Sequence, residues 1–382
     1  MSNFDRACVR RPNVLTFNKF NHFLQDGTEL STPSTTNLHI LSAWKESTLL
    51  GHNCAVKKYL QFNARRSSTR FRLPLSPCDI EAFCMWAGRN AYTDNKGKIN
   101  GTSLKKYLVG LKAWHTIHGV PFPEVNRDRL NLILKACGKI DREVSLTPRK
   151  PAVKIWHVVF LVNLLSKGSN FDRALADLVL VAFWGMARLA ELTYDNGSGD
   201  LYFDNSILTS DVTMSPDGVS PRTVMLTVRG AKTAQPGAGQ IILLGEQPNI
   251  LCPVRAIQRR LSEAGGTPTS LFGYVANGQR IHLTRRRVVD RIQQALSEGG
   301  HENMLGHSFR VGGASFRNAY GMTVADICRL GRWKSSCYKL YIRQYTGEDL
   351  QRTSRLLSQL NKAWKQIEDR VKGRKGRVSE EM

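Results

Sequence analysis

No stretch of this 382-residue sequence approaches the roughly 18 consecutive apolar residues of a membrane span. The longest apolar runs, residues 158–165 and 178–183, are short and are broken by Asn163 and Asp177. The opening residues, MSNFDRACVRRPN, lack the apolar core of a secretory signal, so an intracellular protein is expected. The eight cysteines include no Cys-x-x-Cys pair, and no cysteine–histidine group has zinc-ligand spacing. That leaves reduced thiols, mostly in cores. Acidic residues are scarce, 31 against 55 lysines and arginines, for a formal net charge of +24. With 41% apolar and 23% charged residues the composition is otherwise that of a globular protein, which argues against wholesale disorder.

The basic excess runs through the chain. Residues 1–150 carry 24 basic and 11 acidic side chains, and residues 151–382 carry 31 and 20. A neutral enzyme with a basic tail would concentrate its charge. An excess spread this way costs self-repulsion and fits a protein that holds DNA or RNA with both halves, rather than a merely cationic soluble protein. The basic groups Arg65, Arg66, Arg70 and Arg72, Lys105 and Lys106, and Arg285, Arg286 and Arg287 are the candidate backbone contacts.

The length suits two or three domains. Residues 1–36 are polar, end in a Ser/Thr/Pro-rich piece, and are expected to form a flexible arm. Residues 37–140 show apolar positions at helical spacing: Leu38 to Phe62, Ile80 to Trp86, Leu104 to Trp114 and Leu130 to Cys137. They predict a small all-helical domain of four or five helices, which the spread of basic charge makes a candidate DNA-binding domain. Residues 141–152 are a charged, proline-containing linker. Residues 153–348 begin with helical patterning, switch to period two around Val224, Leu226 and Val228, and return to it. A long Gly/Pro/Lys loop joins two strands there, and a helix is expected over 335–345. Residues 349–382 form a last helix and a basic tail. The fold class expected is mainly α with a small antiparallel sheet (α+β).

Four segments of the second half stand out. The first, Phe183-Trp-Gly-Met-Ala-Arg-Leu-Ala-Glu-Leu192, presents Arg188 with Glu191 one turn on. The second, Val228-Arg-Gly-Ala-Lys-Thr233, puts Lys232 in the hairpin loop, with no other lysine between Lys167 and Lys334. The third, Leu305-Gly-His-Ser-Phe-Arg-Val-Gly-Gly-Ala-Ser315, opens a helix with His307 and Arg310. The fourth, Leu330-Gly-Arg-Trp-Lys-Ser-Ser-Cys-Tyr-Lys-Leu-Tyr-Ile-Arg343, contains Trp333 and Tyr341. With Leu251-Cys-Pro-Val-Arg255, these segments resemble the tyrosine recombinases, the integrase-like enzymes that break and rejoin DNA. Within them the sequence looks most like the Crypton-type recombinases of eukaryotic mobile elements. The match covers residues 155–350; the first half fits the family's SAM-like core-binding domain by position and pattern.

The resemblance implies a catalytic set of Arg188, Lys232, His307, Arg310 and Trp333, with Tyr341 as nucleophile and Glu191 in a supporting place. The chemistry of these side chains agrees. Cleaving a phosphodiester needs a nucleophile, positive charge at the non-bridging oxygens, and a proton for the leaving oxygen. Arg188 and Arg310 can offer bidentate forks to the phosphate. His307 can move protons near neutrality, Lys232 can protonate the departing 5′ oxygen, and Trp333 can donate its indole N–H or pack. Tyr341 would end as a 3′-phosphotyrosine, which stores the bond energy so that no ATP is needed. With this many cations the reaction requires no metal, and no cofactor is expected. One departure stands out: Trp333 lies eight residues before Tyr341, one fewer than usual in the family, and Arg332 occupies the usual spacing.

Tyr338, Tyr341 and Tyr345 would share one face of a helix, so a structural stripe is the competing reading; the Tyr-Ile-Arg frame favours Tyr341. The last helix carries Leu357, Leu360, Trp364, Ile367 and Val371 at alternating spacings of three and four. By resemblance it would dock on a neighbouring protomer, giving a tetramer of two dimers on double-stranded DNA. No membrane and no small-molecule substrate are implied, and the site of action would be the nucleus of a eukaryotic host. Two other readings share the charge and the motifs: a catalytically silent DNA-binding regulator, and a relaxing topoisomerase of type IB.

Overall fold

The computed structural model describes residues 8–9, 17–27, 32–66, 71–144, 151–202, 207–216, 218–230, 239–301, 304 and 306–380. The chain divides into two compact units, Pro12–Pro148 and a second made of Met1–Arg11 with Arg149–Met382.

The first unit holds helices α1 (Thr35–Ser42), α2 (Glu46–Arg66), α3 (Pro77–Ala87), α4 (Gly101–Ile117) and α5 (Arg127–Val144). Local chemistry sets their starts. Ser76 and Asp79 form a reciprocal cap around Pro77 at the head of α3, and the Asn100 side chain accepts from Ser103 N–H at the head of α4. The core is aromatic, with Tyr59, Phe62, Phe83 and Trp114 stacked edge to face or tilted. Helices α2 and α4 meet at Gly110, where a Cβ would lie 2.7 Å from that of Ala55.

Two boundaries differ from expectation. Within the stretch expected to be an arm, residues 17–27 are packed: Phe20, Phe23 and Leu24 are buried in the core. Trp114 Nε1 donates to Gln25 O at 2.6 Å. Helix α5 runs to Val144, into the stretch expected as linker. Asp141 is held there by Arg89 at 3.1 Å and by the Gly101 N–H at 2.7 Å.

In the second unit a two-residue strand β1 (Cys8–Val9) pairs in parallel with β2 (Leu201–Tyr202). The unit is built around α7 (Asn170–Trp184), which follows α6 (Ile155–Leu165). Every residue from Ala174 to Trp184 is buried, the pattern of a helix packed on all sides. A short helix α8 (Leu189–Leu192) follows, then an antiparallel sheet of β3 (Val212–Met214), β4 (Thr223–Val228) and β5 (Gln240–Gly245). Val228 pairs with Gln240 and Val224 with Leu244. Val224, Leu226 and Val228 face the core, as alternation requires. Then come α9 (Pro253–Ala264), a hairpin of β6 (Gly273–Ala276) and β7 (Gln279–His282), α10 (Arg285–Glu298), α11 (Gly306–Ala319), α12 (Val324–Gly331) and α13 (Gly347–Glu380). Apart from the parallel β1–β2 pair, the architecture is mainly helical with small antiparallel sheets, as expected. The β6–β7 hairpin was not anticipated.

The helix expected over 335–345 is instead a single 3-10 turn, Ser336–Leu340, followed by irregular chain to α13. The apolar stripe of α13, expected to face another protomer, is largely used within its own unit. Leu356, Leu357 and Leu360 pack on the main core, and the Trp364 ring covers the Arg255 guanidinium at 4.0 Å. Ile367 remains 48% exposed. Among the described residues no helix is long and apolar enough to cross a membrane, and no group of histidine, cysteine and carboxylate side chains could hold a metal ion.

Candidate active site

Helix α7 ends at Gly185, where a Cβ would lie 2.5 Å from Ile242 and 2.8 Å from Val181 O. Met186 then turns with φ 43°, and Arg188 caps α8. The Arg188 N–H donates to Glu191 Oε2 at 2.9 Å, and its Nη1 donates to Oε1 at 2.6 Å. Glu191 therefore fixes both ends of this arginine. Arg332 Nη2 also donates to Glu191 Oε2, at 2.7 Å.

Helix α11 brings Arg310 to the same place. Its glycines explain how: a Cβ on Gly312 would sit 2.0 Å from Val153 O, and one on Gly313 2.2 Å from Phe183 O. Only a bare backbone lets α11 press against the end of α7. Arg310 is fully buried, with Nη1 donating to Met186 O and Nη2 to Gly331 O. Its ring neighbours are Trp333, 4.6 Å from the guanidinium carbon, and Tyr341, 5.5 Å away. Burial, then the charges of Arg188 and Arg332, lower its pKa to about 10. At neutral pH it remains a cation. For Glu191, burial raises the pKa, but Arg332, Arg188 and their hydrogen bonds outweigh it and hold the carboxyl below its ordinary value.

Tyr341 is half-buried at the end of the 3-10 turn, its ring 4.9 Å from Trp333 and 6.4 Å from His307. His307 is exposed on the first turn of α11. The segment is tied to α11 through Ser315. Its hydroxyl lies 3.2 Å from Tyr341 O and accepts from the Arg343 N–H at 2.8 Å. Sequence reasoning did not single out Ser315; its place in the small-residue run hides a hydroxyl that also lies 2.7 Å from Val311 O in its own helix. Tyr345 goes elsewhere. Its buried hydroxyl has no hydrogen-bond partner among the described residues, and its ring lies 5.2 Å from the Lys154 ammonium.

Arg188, Glu191, His307, Arg310, Trp333 and Tyr341 are thus gathered in one region. Arg332, which the sequence offered only by spacing, joins them. Lys232 lies outside the described residues, as does Arg70. The loop that carries Lys232 leaves from β4 at Val228 and returns in β5 at Gln240. The remaining basic candidates are all exposed. In the first unit Arg66 pairs with Asp79 at 2.6 Å and Arg72 with Asp26 at 3.8 Å. Arg65 gathers with Lys58 and Lys98 around the Trp86 ring, at 5.6, 5.0 and 5.8 Å. Lys58 and Lys98 were not anticipated, because residues 40 apart in sequence meet only in the fold. Lys105 and Lys106 stand on the first turns of α4. In the second unit Arg285, Arg286 and Arg287 open α10, with Arg287 4.7 Å over the Phe171 ring.

No protein-family model and no curated protein matches the sequence. Solved structures do match the fold. The XerH site-specific recombinase in its post-cleavage complex with palindromic difH superposes with a TM-score of 0.53 at 13% identity, over 91% of this chain and 90% of that one. Its pre-cleavage complex gives 0.51 at 12% identity over the same shares. A lambda integrase (75–356) dimer bound to a COC′ core site gives 0.50 at 16% identity, over 81% of this chain and 93% of that one. The chain has the tyrosine recombinase fold. At these identities the likeness speaks to architecture alone.

Proposed function

We propose that this chain is a site-specific recombinase of a mobile element, of the Crypton type, that cuts and rejoins DNA through a 3′-phosphotyrosyl intermediate. One observation carries the reading: the Tyr341 ring lies against Trp333 and 5.5 Å from the guanidinium of a buried Arg310, in a cluster that also holds Arg188. The Tyr341 oxygen attacks phosphorus as the bond to the 5′ oxygen breaks. His307 takes the phenol proton, and Lys232 supplies one to the departing 5′ oxygen. Arg188 and Arg310 stabilise the charge that builds on the non-bridging oxygens. Attack by a 5′ hydroxyl on the phosphotyrosine reverses the step and rejoins the strand. Glu191 positions Arg188. The XerH and lambda integrase structures are complexes with DNA, which supports double-stranded DNA as the partner here. Both units contribute basic side chains to it, in the nucleus of the host, as a tetramer of two dimers.

The test is a nicked suicide duplex with the full chain, read as an SDS-resistant complex. The adduct forms with the wild type and disappears in Tyr341→Phe, while DNA binding persists. DNA binding with no adduct would make the chain a silent regulator. Relaxation of a supercoiled plasmid without any recognition sequence would make it a topoisomerase.

A further inference from the structure

The cluster around Glu191 contains more positive charge than its protein partners neutralise. Arg188, Arg310 and Arg332 face a single carboxylate, so three cations against one anion leave two positive charges. A structural ion-pair network in a desolvated place is expected to be neutral, because each uncompensated buried charge is costly.

Arg332 is the unusual member. It ends α12 with φ 60° and ψ 40°, the left-handed region that favours glycine or asparagine. A long side chain at such a position commonly reaches into water. Here it turns inward and is only 7% exposed. Just one of its donors, Nη2, is satisfied, by Glu191. Its Nε and Nη1 are buried with no hydrogen-bond partner among the described residues, and so is Arg310 Nε. Arg310 grips the carbonyl of Gly331, the residue before Arg332, and the Arg332 charge is near enough to help lower the Arg310 pKa.

We infer that Arg332 is a third guanidinium ligand of the scissile phosphate, its Nε and Nη1 donating to a non-bridging oxygen. This rests on the transesterification reading above. The charge balance fits the reaction. A phosphodiester brings one negative charge, and the pentacoordinate state through which the phenolate attacks carries two, which is the excess the site holds. Trp333, the neighbour with the matching residue type, is folded against Gly331, where a Cβ would lie 2.2 Å from its ring. Its ring lies beside Arg310 and Tyr341, and its Nε1 is also buried with no hydrogen-bond partner among the described residues, a neutral donor where Arg332 brings charge.

The experiment compares a phosphodiester with a methylphosphonate at the scissile linkage, in nicked duplexes drawn from a pool randomised around it. The methylphosphonate has no charge on its non-bridging oxygen. The full chain and its Arg332→Met and Arg332→Lys variants are scored for the rate of adduct formation. Arg332→Met should lose about 10²–10³-fold on the phosphodiester and less than about tenfold on the methylphosphonate. Equal losses on the two linkages would overturn the inference, since Arg332 would then act only through Glu191 or the fold. Should Arg332→Met fail to fold, Arg332→Lys carries the same comparison, with a smaller loss confined to the phosphodiester. Absence of any wild-type adduct on either linkage would overturn the reading beneath. The inference is then decided separately by orthovanadate, a mimic of the pentacoordinate state. A rise in melting temperature in the wild type that Arg332→Met lacks keeps Arg332 as an anion ligand; equal rises discard it.

Discussion

Asp177 on α7 and Glu191 on α8 are both buried carboxylates that serve two arginines, yet their surroundings differ in kind. Asp177 takes Arg260 Nε at 2.7 Å and Arg259 Nε at 3.0 Å, and Arg260 Nη1 donates to Glu263 and to Gly273 O. Acids and bases there are nearly matched, and Arg259 reaches solvent. Burial holds the Asp177 carboxyl above its ordinary value despite Arg259 and Arg260, whereas at Glu191 the surplus of cations wins against burial. An unpartnered guanidinium N–H does not by itself mark a site, since Arg89, Arg280 and Arg291 each retain one or more. What sets the Glu191 cluster apart is convergence: three guanidiniums and one acid, beside a half-buried tyrosine. The first network is built to be complete, the second to be completed.

The largest expected effect tests the complete network. Asp177→Ala leaves the buried Arg260 with Glu263 alone and strips its Nε of a partner, and should cost about 3–5 kcal/mol of stability in urea denaturation. The adduct rate of the folded fraction should not change. A loss of rate at full stability would move this network into the reacting site.

Next comes the incomplete one. Arg188→Met should slow adduct formation by about 10²–10³-fold, equivalent to about 2.7–4 kcal/mol in the transition state. Stability should hold or rise slightly, because Glu191 keeps Arg332 and one repelling cation is gone. A fall in stability as large as that of Asp177→Ala would erase the distinction between the two clusters.

A third arrangement sharpens the contrast by avoiding charge. His157 is buried against His301, ring centres 4.4 Å apart, and accepts from the Lys154 N–H at 3.0 Å. Burial, then His301, Lys154 and Arg352, lower its pKa to about 3. The unfolded chain takes up this proton near pH 6.5 and the folded chain only near 3. Stability from this group is therefore complete above about pH 6.5 and falls as pH drops through that window. Between pH 6.5 and 5 the loss should be about 1 kcal/mol, allowing for solvent screening. His157→Gln should reduce the difference between denaturation midpoints at pH 7 and pH 5; an unchanged difference would assign the acid sensitivity to other histidines.

Much of the frame was legible in the sequence, because it rests on local signals. Ser76-Pro77 with Asp79 announces α3, and the apolar spacing of Leu104, Leu108 and Leu111 announces α4. The Asn277-Gly278 pair that turns the β6–β7 hairpin was equally readable, both residues at positive φ, but the flanking strands are too short to display alternation. Other features were not readable for a physical reason. The chain from Tyr341 to Arg343 is tied to the Ser315 hydroxyl, 26 residues before Tyr341, which takes the Arg343 N–H that a continuing helix would have used. Phe20, Phe23 and Leu24 are too few to show a period and are ordered by burial alone. Arg332 meets Glu191 across 141 residues, so its backbone conformation and its partner are both products of the fold.

The smallest effect concerns an arginine that settles its charge without an acid of its own. Arg255 shares Glu246 with Arg222 at 3.4 Å, donates to the Gln247 and Asn249 carbonyls, and meets the face of Trp364 from α13. The ring completes its shell and fastens the helix. Trp364→Ala should therefore cost about 1 kcal/mol. The loss should be local, appearing as faster amide exchange along α13 rather than as a lower global melting temperature. Because Leu356, Leu357 and Leu360 lie on the main core, exchange should rise most beyond Leu360 and least before it. Uniform acceleration along the whole helix would mean that α13 is held by its tryptophan and not by its leucine stripe. That outcome would return the stripe to the role of a surface awaiting a partner.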